Sequence, residues 1–185
     1  MSFRALVLDQ TDDGIRPTVQ TADEDSLPAG DVTASTGRPE TEQYLRDVGA
    51  AHVIGRDEIG AAPEKPLLSE RWAGCVVAVG GATLAHVIAE MRYGGSVAAC
   101  GNTAGNDLAV SVLPFILRSV RLLGVDSVSV PADRRAPQWR RLGELCDPSF
   151  FGAATSVIGL EELPDAGAKI LAGQVRGRVL VDTSG

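Results

Sequence analysis

Residues 74–105 read GCVVAVGGATLAHVIAEMRYGGSVAACGNTAG. Cys75 to Val79 is a short apolar run without polar alternation, the pattern of a strand buried on both faces. Gly80 and Gly81 break it. Leu84, Val87, Ile88 and Met91 then recur at i, i+3, i+4 and i+7, which predicts a helix with one apolar side. Gly94 and Gly95 are expected to stop that helix. Ser96 to Cys100 is a second apolar run, closed by Gly101. Strand, helix and strand joined by glycine turns predict a βαβ unit, because parallel strands need a crossover. In open α/β sheets ligands bind beyond the carboxyl ends of the strands. Here those ends are Val79-Gly80 and Cys100-Gly101.

Upstream, Ala50 to Gly55 (AAHVIG) and Asp31 to Thr36 (DVTAST) read as two further strands around a helix. Pro39 suits a first helical position, and Glu40 and Glu42 complement the dipole of the first turn. Gly49 ends that helix, so a second βαβ unit precedes the first. Earlier still, Phe3 to Asp9 and Ile15 to Thr21 flank Asp13-Gly14, a hairpin turn signal. Pro17 places the return strand at an edge. Ala22 to Gly30 reads as an acidic loop. Downstream, 56–71 is a proline-containing loop with room for one helical turn. Pro114 opens a short helix, and Arg121 to Val130 is expected as a strand. Pro137 to Cys146 is expected as a helix with Trp139, Leu142 and Cys146 on one side. Thr155 to Ile158, Leu163 to Leu171 and Arg178 to Asp182 read as strand, helix and strand, with Gly173 capping the helix.

The bulk numbers exclude several classes. The chain has 185 residues, 44% of them apolar, and a formal net charge of −7. That is enough for one domain, or a domain and a part. With no basic run, nucleic acid and anionic membrane are poor partners. No stretch reaches the length of a membrane span, and MSFRALVLD lacks the layout of a secretory signal. Cys75, Cys100 and Cys146 are far apart, without C-x-x-C spacing. Two of them fall in strands expected to be buried, and an odd count suits a reducing, cytoplasmic setting. Neither His52 nor His86 sits at ligand spacing from a cysteine, so no metal is expected. His86 is read as a solvated residue near Glu90.

Ser35-Thr36-Gly37-Arg38 stands at a strand end. In dinucleotide-binding folds an acid there selects NAD, whereas a cation with hydroxyl donors accommodates the 2′-phosphate of NADP. Arg38 offers a planar charged fork; Ser35 and Thr36 offer hydroxyls. The alternative is a helix-capping turn with a solvated arginine. No G-x-G-x-x-G loop precedes Ser35. Gly80-Gly81 is the nearest substitute, and Gly80 is read as letting the backbone pass close to a ribose or nicotinamide.

From Ala34 to about Arg141 the chain resembles the zinc-independent quinone oxidoreductase branch of the medium-chain dehydrogenase/reductase superfamily, and within it the acrylyl-CoA reductase group. STGRPETEQYLRDVGA, RWAG, AVGG, RYGGSVAACG, LPFILRSVRLLGVDSV and VRGRVLVD carry the resemblance. MSFRALVLDQ and LPAGDVT resemble the family's first strands. The resemblance implies an α/β fold, an incomplete Rossmann-type parallel sheet with helices. Residues 34–147 would form a partial NADP-binding domain. Residues 1–33 and 148–185 would be remnants of a GroES-like β domain. The long segment that separates these pieces in the family, with the first Rossmann strand and its glycine loop, is missing between Thr33 and Ala34.

Carried over residue by residue, the resemblance implies NADP contacts at Ser35, Thr36, Arg38 and Tyr44. It implies further contacts at Val79, Gly80, Cys100 and Gly101 along the cofactor, and at Phe115, Ile116 and Leu117 near the nicotinamide. Val77-Ala78 departs from the family's Asp-Thr, and Asn102-Thr103-Ala104-Gly105 from its Leu-Ala-Gly-Gly. No catalytic residue is assigned. The implied activity is NADPH-dependent reduction of an activated C=C in an enoyl-CoA or quinone-like substrate, impaired in this chain. Losing a strand–helix unit uncovers apolar surface, so a homodimer, a rearranged sheet or poor solubility is expected. The alternatives are a non-catalytic nucleotide-binding or dimerisation remnant, and an unrelated nucleotide binder holding phosphate at Ala82-Thr83.

Overall fold

A computed structural model of the chain describes residues 2–11, 14–23, 31–126, 128–145 and 148–184. Of the acidic loop expected over Ala22 to Gly30, Ala22 and Asp23 belong instead to a strand, and the rest, like the Asp13 turn position and Cys146, lies outside the described residues. The chain divides into two units, residues 1–32 and 33–185. The first is a hairpin: β1 (Ser2–Thr11) pairs antiparallel with β2 (Gly14–Asp23), in register from Ser2 opposite Asp23 to Thr11 opposite Gly14.

The second unit is α/β, with every ladder among its described strands parallel. β3 (Thr33–Thr36) and β4 (His52–Gly55) form one pair. Between them lie a 3₁₀ turn (Pro39–Thr41) and α1 (Glu42–Asp47). Pro39 occupies the first turn, where its missing N–H costs nothing. Gly49 leaves α1 with φ +111°. After α2 (Asp57–Gly60) come β5 (Trp72–Val77), α3 (Gly81–Glu90) and β6 (Met91–Ala99). α4 (Leu113–Arg118) leads into β7 (Arg121–Gly124), giving a three-stranded sheet in the order β5-β6-β7. α5 (Ala132–Leu145), α6 (Pro148–Ala154), β8 (Thr155–Gly159), α7 (Leu163–Leu171) and β9 (Arg178–Asp182) complete it, β8 pairing with β9.

The core sits under α3. Leu84, Val87 and Ile88 pack with Val77, Met91, Val97, Val120 and Ile59, and Ile54 of β4 joins their edge. Side-chain alternation turns Val77 toward this core and leaves Val76 on the other face. Val76 is 74% exposed. In register with Val76 across the sheet lie Ala98 and Leu123, the latter also exposed. Among the described residues, the three-stranded sheet is thus covered on one face only.

Several boundaries differ from the sequence reading. α3 ends at Glu90, not at Gly94-Gly95. Met91 takes extended angles and pairs with Trp72, so its burial serves β6. At the freed helix end the Ala89 carbonyl accepts from the Leu68 N–H and from Arg118 Nη1, and the Glu90 carbonyl from the Arg71 N–H; Arg118 also donates to the Met91 and Leu68 carbonyls. β5 begins at Trp72 and releases the chain after Val77, short of Val79. β7 stops at Gly124 rather than Val130, because the Asp126 carboxylate accepts from the Val128 and Ser129 N–H groups and turns the chain. α5 starts at Ala132 and carries Pro137 inside it. The Arg134 and Arg135 N–H groups reach the Pro131 carbonyl and close its first turn ahead of the proline. Trp139 and Leu142, expected on one side of this helix, are both exposed. α6 has no counterpart in the sequence reading.

Candidate functional site

Two groups of residues gather at strand ends. The first joins β5 and β6. The Cys100 N–H donates to the Val77 carbonyl at 3.0 Å, and the Ala104 N–H to the Val79 carbonyl at 2.8 Å. Gly80 pairs with Gly105 in an isolated parallel bridge. Val79, Gly80, Cys100 and Gly101 are therefore brought together. Gly80 has φ +67°, and a Cβ there would lie 2.6 Å from the Gly105 carbonyl oxygen. One close approach that Gly80 permits is to this chain's own loop through Gly105. A Cβ on Gly101 would collide with the Ala78 carbonyl oxygen. Alanine at 101 is expected to force the two strand ends apart and cost about 1–3 kcal/mol, read as a lowered urea midpoint at unchanged m-value.

Beside this junction an open groove of about 590 Å³ is lined by Ala99, Cys100, Gly101, Gly124, Val125 and Asp126, among others. Hydrogen bonds from the Ser129 and then the Val128 backbone N–H hold the Asp126 carboxyl below its ordinary range. The depressed value means the turn's contribution is complete at neutral pH and is lost only as pH falls through the carboxyl's folded value. Cys100 is exposed just past the end of β6, not buried within it; Cys75 is half-buried, and burial raises its thiol. Phe115 packs on the core, whereas Ile116 and Leu117 are exposed on α4. None of these three lines the groove.

The second group lies at the end of β3. Thr36 Oγ1 accepts from the Arg38 N–H at 3.0 Å and meets Thr41 Oγ1 at 2.9 Å; Thr41 Oγ1 donates to the Arg38 carbonyl at 2.7 Å. These bonds hold the backbone turn, and Ser35 is left exposed. The Arg38 side chain is not simply solvated: its Nη1 donates to the Gly173 carbonyl at 2.6 Å and the Val175 carbonyl at 3.3 Å. Arg176 stacks over Tyr44 with its Cζ 4.7 Å from the ring centroid. Arg56 follows β4, and its N–H donates to the Thr36 carbonyl at 2.8 Å. Its guanidinium lies over Gly37, where a Cβ would come within 2.9 Å of Arg56 Cζ. The sequence reading missed Arg56, although its place just past β4 was a usable signal. It also missed Arg176, which only the tertiary contact reveals. Among the described residues no hydrogen bond or ion pair links the β3-end group to the β5–β6 junction. Nor do the described residues contain three or more His, Cys, Asp or Glu side chains placed to hold a metal ion.

His86 corrects another expectation. Its side chain is 15% exposed; Nδ1 lies 3.0 Å from the Ala61 carbonyl, and Nε2 lies 3.8 Å from Glu90. The Glu90 carboxylate also accepts from Trp72 Nε1 at 2.7 Å.

A parallel sheet with strand-end sites places the chain with Rossmann-type oxidoreductases, and its solved neighbours are of that kind. Its close homologues are acrylyl-CoA reductase and quinone oxidoreductase proteins of the medium-chain dehydrogenase/reductase superfamily. The acrylyl-CoA reductase AcuI of Ruegeria pomeroyi is 49% identical over 154 residues, which cover 83% of this chain and 47% of that protein. The yhdH oxidoreductase from Salmonella enterica, crystallised in complex with NADP, superposes with a TM-score of 0.79 at 45% identity, over 83% of this chain and 47% of that one. The yhfP protein of Bacillus subtilis, with NAD bound, superposes with a TM-score of 0.77 at 42% identity, over the same shares. The chain thus spans about half the length of the relatives it matches. No protein-family model matches it.

Proposed function

We propose that this chain is the nucleotide-binding part of an NADPH-dependent oxidoreductase of the quinone and acrylyl-CoA reductase type. Such an enzyme reduces an activated C=C in an enoyl-CoA or quinone-like substrate. The observation that carries the reading is the β3 end, where Arg38 follows Ser35 and Thr36 and the Arg56 guanidinium lies over Gly37, with no carboxylate on the strand end itself. That donor set fits a 2′-phosphate. When bound, NADPH would supply the hydride, and the protein's part would be to bind and orient it.

The junction at Val79, Gly80, Cys100 and Gly101 is the proposed floor for the rest of the cofactor, with Tyr44 beside the adenosine and Phe115, Ile116 and Leu117 toward the nicotinamide. Residues 1–33 and 148–185 are proposed as parts of a GroES-like domain and 34–147 as the partial cofactor domain. The assembly is proposed as a homodimer in the cytoplasm, without zinc. No described helix is long and apolar enough to cross a membrane.

A second reading, a non-catalytic nucleotide-binding or dimerisation remnant, draws on one observation. The face of the three-stranded sheet that carries Val76 and Leu123 is uncovered, and impaired activity would follow.

Calorimetry of NADPH binding to the intact chain and to Arg38→Ala tests the first reading. Loss of a charge-assisted phosphate contact is expected to weaken binding by about tenfold to a hundredfold, with NADH unaffected. Reduction of an enoyl thioester by the intact chain then separates enzyme from remnant. Equal NADPH affinity in both chains would remove the β3 end from the cofactor site.

A further inference from the structure

The segment between α7 and β9 is fastened to the β3 end at several points. Gly173 and Val175 accept from Arg38 through their carbonyls. Arg176 stacks on Tyr44. Gly177 packs so closely that a Cβ would strike the Ala154 carbonyl and come within 3.3 Å of the Tyr44 hydroxyl. Gly173 and Gly177, with φ +68° and +73°, turn the chain at either end. Residues 173–177 thus form a short strap across two residues proposed to meet the adenosine end of the cofactor. Its fastening to Arg38 uses neutral acceptors. A phosphate offers charged, multivalent acceptors to the same planar fork, adding ion-pair attraction and bidentate geometry to bonds that the guanidinium charge already assists.

We infer that the 173–177 strap and a nucleotide 2′-phosphate compete for Arg38, so that the strap closes the β3 end in the free chain and is released when a 2′-phosphorylated nucleotide binds. This rests on the reading of Arg38 as a 2′-phosphate ligand. The strap then sets a threshold: apparent affinity falls in proportion to the fraction of chains in which it is open. Nucleotides lacking the 2′-phosphate have no group to displace it, so the device also sharpens the choice between the two cofactors.

Two measurements on the full chain test this. The first is limited trypsin digestion, following cleavage after Arg176 against cleavage after Arg134 as internal reference. NADP is expected to speed the Arg176 cut several-fold, and NAD to leave it unchanged. The second is NADP affinity of Arg176→Gln, which loosens the strap from Tyr44 while leaving Arg38 in place. Affinity is expected to rise by about threefold to tenfold, the gain that accompanies a larger open fraction.

If NADP binds the native chain but the Arg176 cut is unchanged, the competition is wrong and the cofactor reading stands. If affinity falls in Arg176→Gln, Arg176 is itself a ligand and the strap is not a competitor. If the native chain does not bind NADP and Arg176→Gln does, the strap is a block strong enough to mask the site. Binding by neither chain overturns both readings.

Discussion

Alanine at Glu90 is expected to lower folding stability by about 2–3 kcal/mol, the scale for a part-buried hydrogen bond to a charged acceptor. Three partners face this carboxylate, and they differ in weight. Arg71 approaches only to 3.5 Å with its side chain 36% exposed, and it has a second partner in Glu58 at 3.7 Å. Such a pair contributes under about 1 kcal/mol. His86 stands further off, at 3.8 Å. The Trp72 indole N–H, donating at 2.7 Å, is the short bond. Without an acceptor it would be left unpaired where water reaches it poorly, since the Glu90 side chain is only 9% exposed. Glu90→Gln keeps an acceptor oxygen for Trp72 and discards the charge. It is therefore expected to cost under about 1 kcal/mol. A urea denaturation series with native chain, alanine and glutamine separates the two terms, and Trp72→Phe added to Glu90→Ala should recover part of the loss. If glutamine proved as damaging as alanine, the ion pairs would be the dominant partners instead.

The same network shows what a linear sequence hides. His86 and Glu90 are four apart on a helix, so their meeting is legible. Their burial is not, because Ala61 and Trp72 arrive from outside the helix. The parallel ladders, α7 and β9 were readable because each rests on local signals: apolar runs, glycine turns and a proline at a first turn. The overlong prediction for α3 came from one residue. Met91 satisfies a helical period and a buried strand position equally well, and pairing with Trp72 decided between them. At the candidate site, Ser35, Thr36 and Arg38 could be placed from the strand-end rule. The engagement of Arg38 with Gly173 could not, since the two are 135 residues apart. Gly80 was legible as a point of close approach, but the loop through Gly105, which returns on it from the next strand, was not.

Alanine at Ile88 is expected to have the largest effect of any single side-chain truncation in this chain. Ile88 is fully buried at the centre of the only core cluster found among the described residues. Buried Ile-to-Ala changes cost about 2–5 kcal/mol, the transfer term plus the cavity left behind. Two features push this site toward the upper end. Val87, Met91 and Val97 are themselves almost completely buried around it, so collapse into the gap would need backbone movement. The opposite sheet face, with Val76, contributes little burial that could compensate. A domain's net stability is about 5–15 kcal/mol, and a sheet packed on one side sits toward the low end, so the loss would consume a large share of it. Far-UV circular dichroism against urea should show a midpoint lowered by at least a third, with a flattened baseline before the transition. The exposed pair gives the contrast: Val76→Thr, on the uncovered face, is expected to change stability by less than about 0.5 kcal/mol. A large loss at Val76 would mean that its face is covered in solution, and the row from Val76 through Ala98 to Leu123 would then be the place to look for what covers it.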